Sequence, residues 1–334
     1  MTLIRHASKS PAEGGASRRA VRTGAAIIAA GALATGFAAA APAIASTHAP
    51  AVTYTFRTID NSNDLTFNQL LGINSAGVIA GYFGSGAQFH PNKGYRLLPP
   101  YRQSDFRVEN YPNSAQTQVT GLNDTGITVG FYSHTNTKSG VNANFGFYAV
   151  NGRHFRAVNF PTTNNSTPPV NQLLGVNDSG IAVGFYNNSK GLARSYEYNT
   201  KTHKFRTVGV PGSFSITATA INNHGGVAGF FTTSATSPVS SFFINRSGRL
   251  YVFAWHGASM TQAFGVNDSG EVVGAYTIGT STFGFTWAPG KGFHTVNDPK
   301  GIGTTVVNGV NDAGDLVGFY TGKGTHVNGF LAKP

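Results

Sequence analysis

The chain has 334 residues with 43 Gly, 25 Phe and 13 Tyr, yet only 11% of its residues are charged and none is Cys. That balance excludes a disulfide-stapled domain, suits strands joined by glycine turns, and leaves burial as the source of stability. The formal net charge is +11, but five of the 24 Lys and Arg and one of the 13 acids lie in the first 45 residues, so the remainder is less basic.

The chain begins with a basic leader, Arg5, Lys9, Arg18, Arg19 and Arg22. An uncharged Ala- and Gly-rich stretch from Gly24 to Ala45 follows, ending in Ala43-Ile44-Ala45 before Ser46. A basic region, an apolar region and small residues at a cleavage point describe a secretory signal. Ser17-Arg18-Arg19 resembles the start of a twin-arginine signal, although Ala20-Val21-Arg22 departs from the usual apolar pair and leaves the export route open. The rival reading is an uncleaved anchor, since the uncharged run reaches the ~20 residues a membrane span needs; its Ala and Gly content favours cleavage after Ala45. The expected layout is a signal over residues 1–45, a linker over 46–52 and a single repeat domain over 53–334.

Phe56-Arg57-Thr58-Ile59 reads as a lone strand, after which a block of twelve residues returns six times. The copies are GINSAGVIAGYF from Gly72, GLNDTGITVGFY from Gly121, GVNDSGIAVGFY from Gly175, AINNHGGVAGFF from Ala220, GVNDSGEVVGAY from Gly265 and GVNDAGDLVGFY from Gly309. Steps of 49, 54, 45, 45 and 44 residues between their asparagines indicate a repeat array or a propeller, whose units are too small to bury their own cores. The two long steps contain polar insertions, Ser133 to Asn144 and Pro161 to Pro169. Each block predicts a β-hairpin turning at Asn-x-x-Gly, with Gly77, Gly126, Gly180, Gly225, Gly270 and Gly314 in the left-handed position.

Two more strands follow each hairpin. The third carries Gly94-Tyr95, Gly146-Phe147, Ser195-Tyr196, Ser241-Phe242, Gly284-Phe285 or Gly329-Phe330. The fourth reads Phe106-Arg107-Val108, Phe155-Arg156-Ala157, Phe205-Arg206-Thr207, Leu250-Tyr251-Val252 and Phe293-His294-Thr295. That gives five fourth strands for six hairpins, and the sixth is the lone strand at Phe56. A propeller ring closes in this way, with its N-terminal strand completing the last blade and removing an open edge. The expected fold is therefore all-β, a six-bladed β-propeller of four-stranded antiparallel blades.

The pattern G-[IVL]-N-[DN]-x-G-x-x-V-G-x-Y, followed by a G-F strand and F-[RT]-T-[IV]-[DN]-x-P, resembles the bacterial extracellular HAF repeats over about residues 53 to 334. The His-Ala-Phe of that family is replaced by Gly-Phe or Ser-Phe variants, with His326 three residues before Gly329. The resemblance implies an exported propeller-like protein and no particular chemistry.

Three sets of residues could form a site. Three positions before each block stand Gln69, Gln118, Gln172, Thr217, Gln262 and Val306, so the four glutamines could ring the channel mouth as ligand-binding amides, or satisfy groups of neighbouring blades. Asn68, Asn171, Thr117, Thr261 and Thr305 would keep that rim polar. The turn aspartates Asp124, Asp178, Asp268 and Asp312 suggest calcium, but each turn offers one carboxylate and a plain turn explains them better. Arg57, Arg107, Arg156 and Arg206 share a register on the outermost strand, where a belt could attract a polyanion or simply guard strand edges.

Catalytic and metal motifs are missing: there is no H-E-x-x-H and no G-x-S-x-G. The reading favours binding over catalysis, with no cofactor and no metal. It describes a monomeric secreted or cell-surface scaffold for a polysaccharide or an extracellular protein. The alternative is a hydrolase or lyase of extracellular polysaccharide, with loop residues such as Asp64, Asp105 and His134.

Overall fold

The computed structural model describes residues 52–87, 89–137 and 142–334. The signal expected over residues 1–45, and the linker through residue 51, lie outside them. Six four-stranded antiparallel sheets hold all the described strands, and no described helix is long and apolar enough to cross a membrane. The innermost strands are Asn68–Ile73, Gln116–Leu122, Asn171–Val176, Ser215–Ile221, Met260–Val266 and Thr305–Val310, which open blades 1 to 6 in turn. Blades 1 to 5 run outward in chain order. Blade 6 does not: Thr55–Thr58 is its outermost strand, antiparallel to Val327–Lys333. The protein is a six-bladed propeller closed by its first strand.

The repeated block makes this packing close. All six turn glycines have positive φ, from 77° at Gly77 to 86° at Gly126, the conformation that glycine adopts without a Cβ clash. Inner strands of adjacent blades nearly touch. A Cβ on Gly121 would stand 2.7 Å from the Leu174 carbonyl oxygen, and one on Gly309 would stand 3.0 Å from that of Leu71. Apolar wedges fill the space between blades further out, such as Val183, Val208, Ile216, Val227 and Phe242 between blades 3 and 4. Loops entering three blades are locked by parallel aromatic pairs: Tyr111 on Tyr132 at 3.6 Å, Phe160 on Tyr186 at 4.1 Å and Trp255 on Tyr276 at 4.1 Å.

The turn asparagines do more than shape their own hairpins. Each Oδ1 accepts the backbone N–H four residues on, as Asn177 does from Ile181 at 3.0 Å. Each Nδ2 then donates to the asparagine carbonyl of the following blade. The sequence runs from Asn74 to Asn123, Asn177, Asn222, Asn267 and Asn311, and Asn311 donates back to Asn74 at 3.3 Å. Six side chains thus form a closed circle around one end of the channel.

Candidate functional site

That end of the channel is a cup of only about 80 Å³. Its rim carries the turn aspartates, which act as staples. Asp124 accepts the Ser75 N–H at 3.0 Å, Asp178 that of Asp124 at 2.8 Å, Asp268 that of Asn223 at 2.7 Å and Asp312 that of Asp268 at 2.8 Å. Among the described residues no group of three His, Cys, Asp or Glu could hold a metal ion.

At the opposite end stand the four glutamines, each cross-strand from a second-strand residue: Gln69 from Tyr82, Gln118 from Phe131, Gln172 from Phe185 and Gln262 from Ala275. Gln118 and Gln172 donate to Asn92 and Asn144 of the preceding blade, both at 2.9 Å. Gln69 is buried with neither amide atom partnered, and the Gln262 Nε2 and Gln118 Oε1 atoms are also unpartnered. An orphaned buried amide costs about 1–3 kcal/mol. Gln69→Leu is therefore expected to raise stability by about 1 kcal/mol in a denaturant melt; a loss of stability instead would mean that an ordered water satisfies the amide.

The expected polar rim beside these glutamines is corrected by the structure. Asn68, Thr117, Asn171, Thr261 and Thr305 are buried, and each accepts a backbone N–H from the loop entering its blade. They clamp connections and leave no polar atoms lining a mouth. A hydroxyl or amide at that register meets a donor left free where the loop turns inward.

The arginine register resolves into separate places. Arg57 donates to the carbonyls of Pro100 and Tyr101 in blade 1, Arg107 to that of Ser104, and Arg206 pairs with Glu197 at 2.8 Å. Arg156 is exposed. The four lie on four successive blades, and three of them are engaged locally. The loop candidates are likewise apart. Asp105 lies at the end of the ring that carries the asparagine circle. Asp64, paired with His90 at 3.1 Å, and His134, on the Asn113 carbonyl, lie on loops at the other end. Burial pushes the Asp60 carboxyl up to about 6 and raises that of Asp298, but both are seam residues held near Lys300, Gly329 and Thr305.

The repeat breaks most clearly at the junction of blades 4 and 5. In each blade one third-strand residue pairs across to the arginine-register residue, giving Arg96 with Arg107, Tyr148 with Arg156, Glu197 with Arg206 and Leu331 with Arg57. Blade 4 places Phe243 opposite Tyr251 there. Their rings lie 21° from parallel with centroids 6.1 Å apart, and the Arg249 guanidinium sits 4.9 Å from the Tyr251 ring centre. These aromatics wall a groove of about 550 Å³, completed by Asn222, His224, Asn245, Arg246, Asp268 and Pro289 among others.

Loop length explains why this groove is open. In blades 1 to 3 the connection between third and fourth strands folds over the turn glycine of its own blade. Tyr101 Oη donates to the Gly77 carbonyl at 2.9 Å, the Asn151 N–H to that of Gly126 at 2.7 Å, and Thr200 to that of Gly180 at 2.9 Å. Blade 4 has instead a tight turn, in which Asn245 Oδ1 accepts the N–H groups of Ser247 and Arg249. Nothing lies within 4 Å of a Cβ placed on Gly225, and at Gly270 the nearest atoms are those of Phe243 at 3.5 Å. At the junction of blades 1 and 2 the same space holds Arg96, bonded to Glu109 and to the Asn151 carbonyl.

No protein-family model matches the sequence, and no curated protein is similar to it. Solved structures share the architecture. A luciferin-regenerating enzyme aligns with a TM-score of 0.51 over 84% of this chain and 96% of its own, at 10% identity. A mutant of the Aleuria aurantia lectin in complex with Fucα1-6GlcNAc gives 0.46 at 13% identity, covering 80% and 91% of the two chains. A PL25 ulvan lyase, a polysaccharide lyase, gives 0.43 at 14% identity, covering 80% and 78%. At 10% identity the first likeness is one of fold alone, and the two with TM-scores below 0.5 imply nothing further for this chain.

Proposed function

We propose that this propeller is a carbohydrate-binding scaffold whose ligand seats in the groove between blades 4 and 5. The observation that supports this is the local break in the repeat, where an aromatic pair replaces the arginine register beside an uncovered cavity. A pyranose presents an apolar C–H face and a rim of hydroxyls. The half-buried Tyr251, backed by the buried Phe243, suits the face, while Asn245, Ser247 and Ser269 lie where hydroxyls would need partners. A volume of about 550 Å³ lies in the range of small-ligand sites. With residues 1–45 read as a secretory signal, the ligand is an extracellular polysaccharide, bound by a monomer through rigid blades and with no cofactor.

The test is a thermal-shift and calorimetric screen of residues 46–334 against oligosaccharides, at low and high salt. A ligand at about 100 times its Kd should stabilise the fold by about 2.7 kcal/mol. Tyr251→Ala is expected to weaken binding about tenfold or more, about 1.4 kcal/mol or more. Its melt should change less, because the ring is only partly buried. Unchanged affinity in that variant would move the site elsewhere, with the buried glutamines next to be examined. No response to any sugar would overturn the reading and favour a protein partner, sought by pull-down.

A further inference from the structure

The chemistry of the groove selects among sugars. Arg246 lines it, is exposed, and has no hydrogen bond or ion pair to any described residue. Arg57, Arg96, Arg107, Arg194 and Arg206 are each bonded to a carbonyl or a carboxylate, and the similarly unbonded side chains of Arg102, Arg153 and Arg156 lie outside the groove lining. His224 also lines the groove without a partner.

The one carboxylate on the lining is not bonded to Arg246. Asp268 spends Oδ1 on the Asn223 N–H at 2.7 Å and Oδ2 on the Asn223 side-chain amide at 3.1 Å. It is tied into the staple around the channel and forms no ion pair with Arg246. Arg249, the other nearby cation, lies against the Tyr251 ring. The groove therefore combines an aromatic wall with one uncommitted guanidinium fork. A fork of this kind matches a planar carboxylate through two parallel N–H···O bonds.

Resting on the carbohydrate reading of this groove, we propose that it takes a uronate, with the sugar ring against Tyr251 and its carboxylate on Arg246. Neutral sugars would leave the guanidinium without a charged partner. A uronate supplies one, and an uncharged Asn or Ser at the same edge could not discriminate in this way.

The experiment measures Kd by calorimetry for trimeric galacturonates and mannuronates, their methyl esters, and the neutral galactose and mannose trimers. For at least one of the two sugars the acid should bind about tenfold more tightly than its ester, as a charge-assisted contact predicts. The difference should vanish in Arg246→Gln and be only partly kept in Arg246→Lys, which retains the charge without the fork. Arg246 is exposed, so both variants should melt as the parent does. Ester or neutral sugar binding as tightly as the acid would overturn the uronate proposal and leave the carbohydrate reading standing. Retention of the acid preference in Arg246→Gln would also overturn it. No binding of acid, ester or neutral trimer to the folded protein would sink both.

Discussion

Removing residues 53–60 should lower the melting temperature by about 10 °C or more, or abolish the cooperative melt. This segment supplies the outermost strand of blade 6. Phe56 packs edge-on against Phe330 at 5.4 Å, and Ile59 is 4% exposed. Burying two such side chains contributes about 1.5–3 kcal/mol each. Backbone pairing adds to this, since the Ile59 N–H donates to the Gly329 carbonyl at 2.8 Å and Asp60 accepts the Gly329 N–H at 2.9 Å. Arg57 also ties the strand to blade 1 through Pro100 and Tyr101. A total of about 5 kcal/mol would consume much of the 5–15 kcal/mol that holds a typical domain together. At about 2–4 °C per kcal/mol for a domain of 150–250 residues, the shift would be plain in a calorimetric scan. An unchanged melt would show that the ring does not depend on its first strand.

Gly274→Ala is expected to cost more than about 3 kcal/mol, well above the ~1 kcal/mol of an ordinary glycine replacement in a strand. A Cβ there would stand 1.9 Å from the Gln262 carbonyl oxygen and 2.8 Å from the Phe285 ring. The oxygen belongs to the backbone of a paired inner strand, so it cannot rotate away. The same second-strand glycine recurs as Gly130, Gly184, Gly229 and Gly318, each within 2.0–2.1 Å of an inner-strand carbonyl oxygen. A turn position such as Gly225, with nothing within 4 Å, should lose only the conformational part, about 1 kcal/mol. The contrast between Gly274→Ala and Gly225→Ala in urea melts separates the two causes. Equal losses would mean that crowding against the carbonyl has been relaxed by movement of the sheet.

The architecture was readable because the repeat carries it. Block spacing, the left-handed turn glycines and the strand count each pointed to six blades closed by Phe56 to Ile59. The roles of individual polar residues were harder to read. Asn74 and its five equivalents are present in every block, while the residue after them changes from Ser to Asp to Asn. Constancy of that kind marks a contact made by all copies, but the partner lies 44–54 residues away on the next blade. Local turn chemistry explains the asparagine Oδ1 and is silent about its Nδ2. The groove was half visible. Tyr251 occupies a register otherwise held by arginine in four blades, a departure legible in Leu250-Tyr251-Val252. The short turn at Asn245 to Gly248 leaves that departure uncovered, and this depends on how far each loop folds back in space. Arg246 gives no signal in the sequence, since its distinction is to stand unbonded on the lining of the groove.

The circle of asparagines also bears on how the chain reaches its final form. Its last link joins Asn311 to Asn74 across 237 residues, and the seam strand pairs Thr55 with Lys333. Neither contact can form until the last blade has been made, so the ring closes only after all six blades exist. Contacts of such long sequence separation are slow to form because loop-closure entropy is paid before they are gained. Until they do, blade 6 keeps an unpaired edge along Val327–Lys333. A chain that terminates early retains open edges for good, which distinguishes it from the finished ring and exposes it to proteolysis.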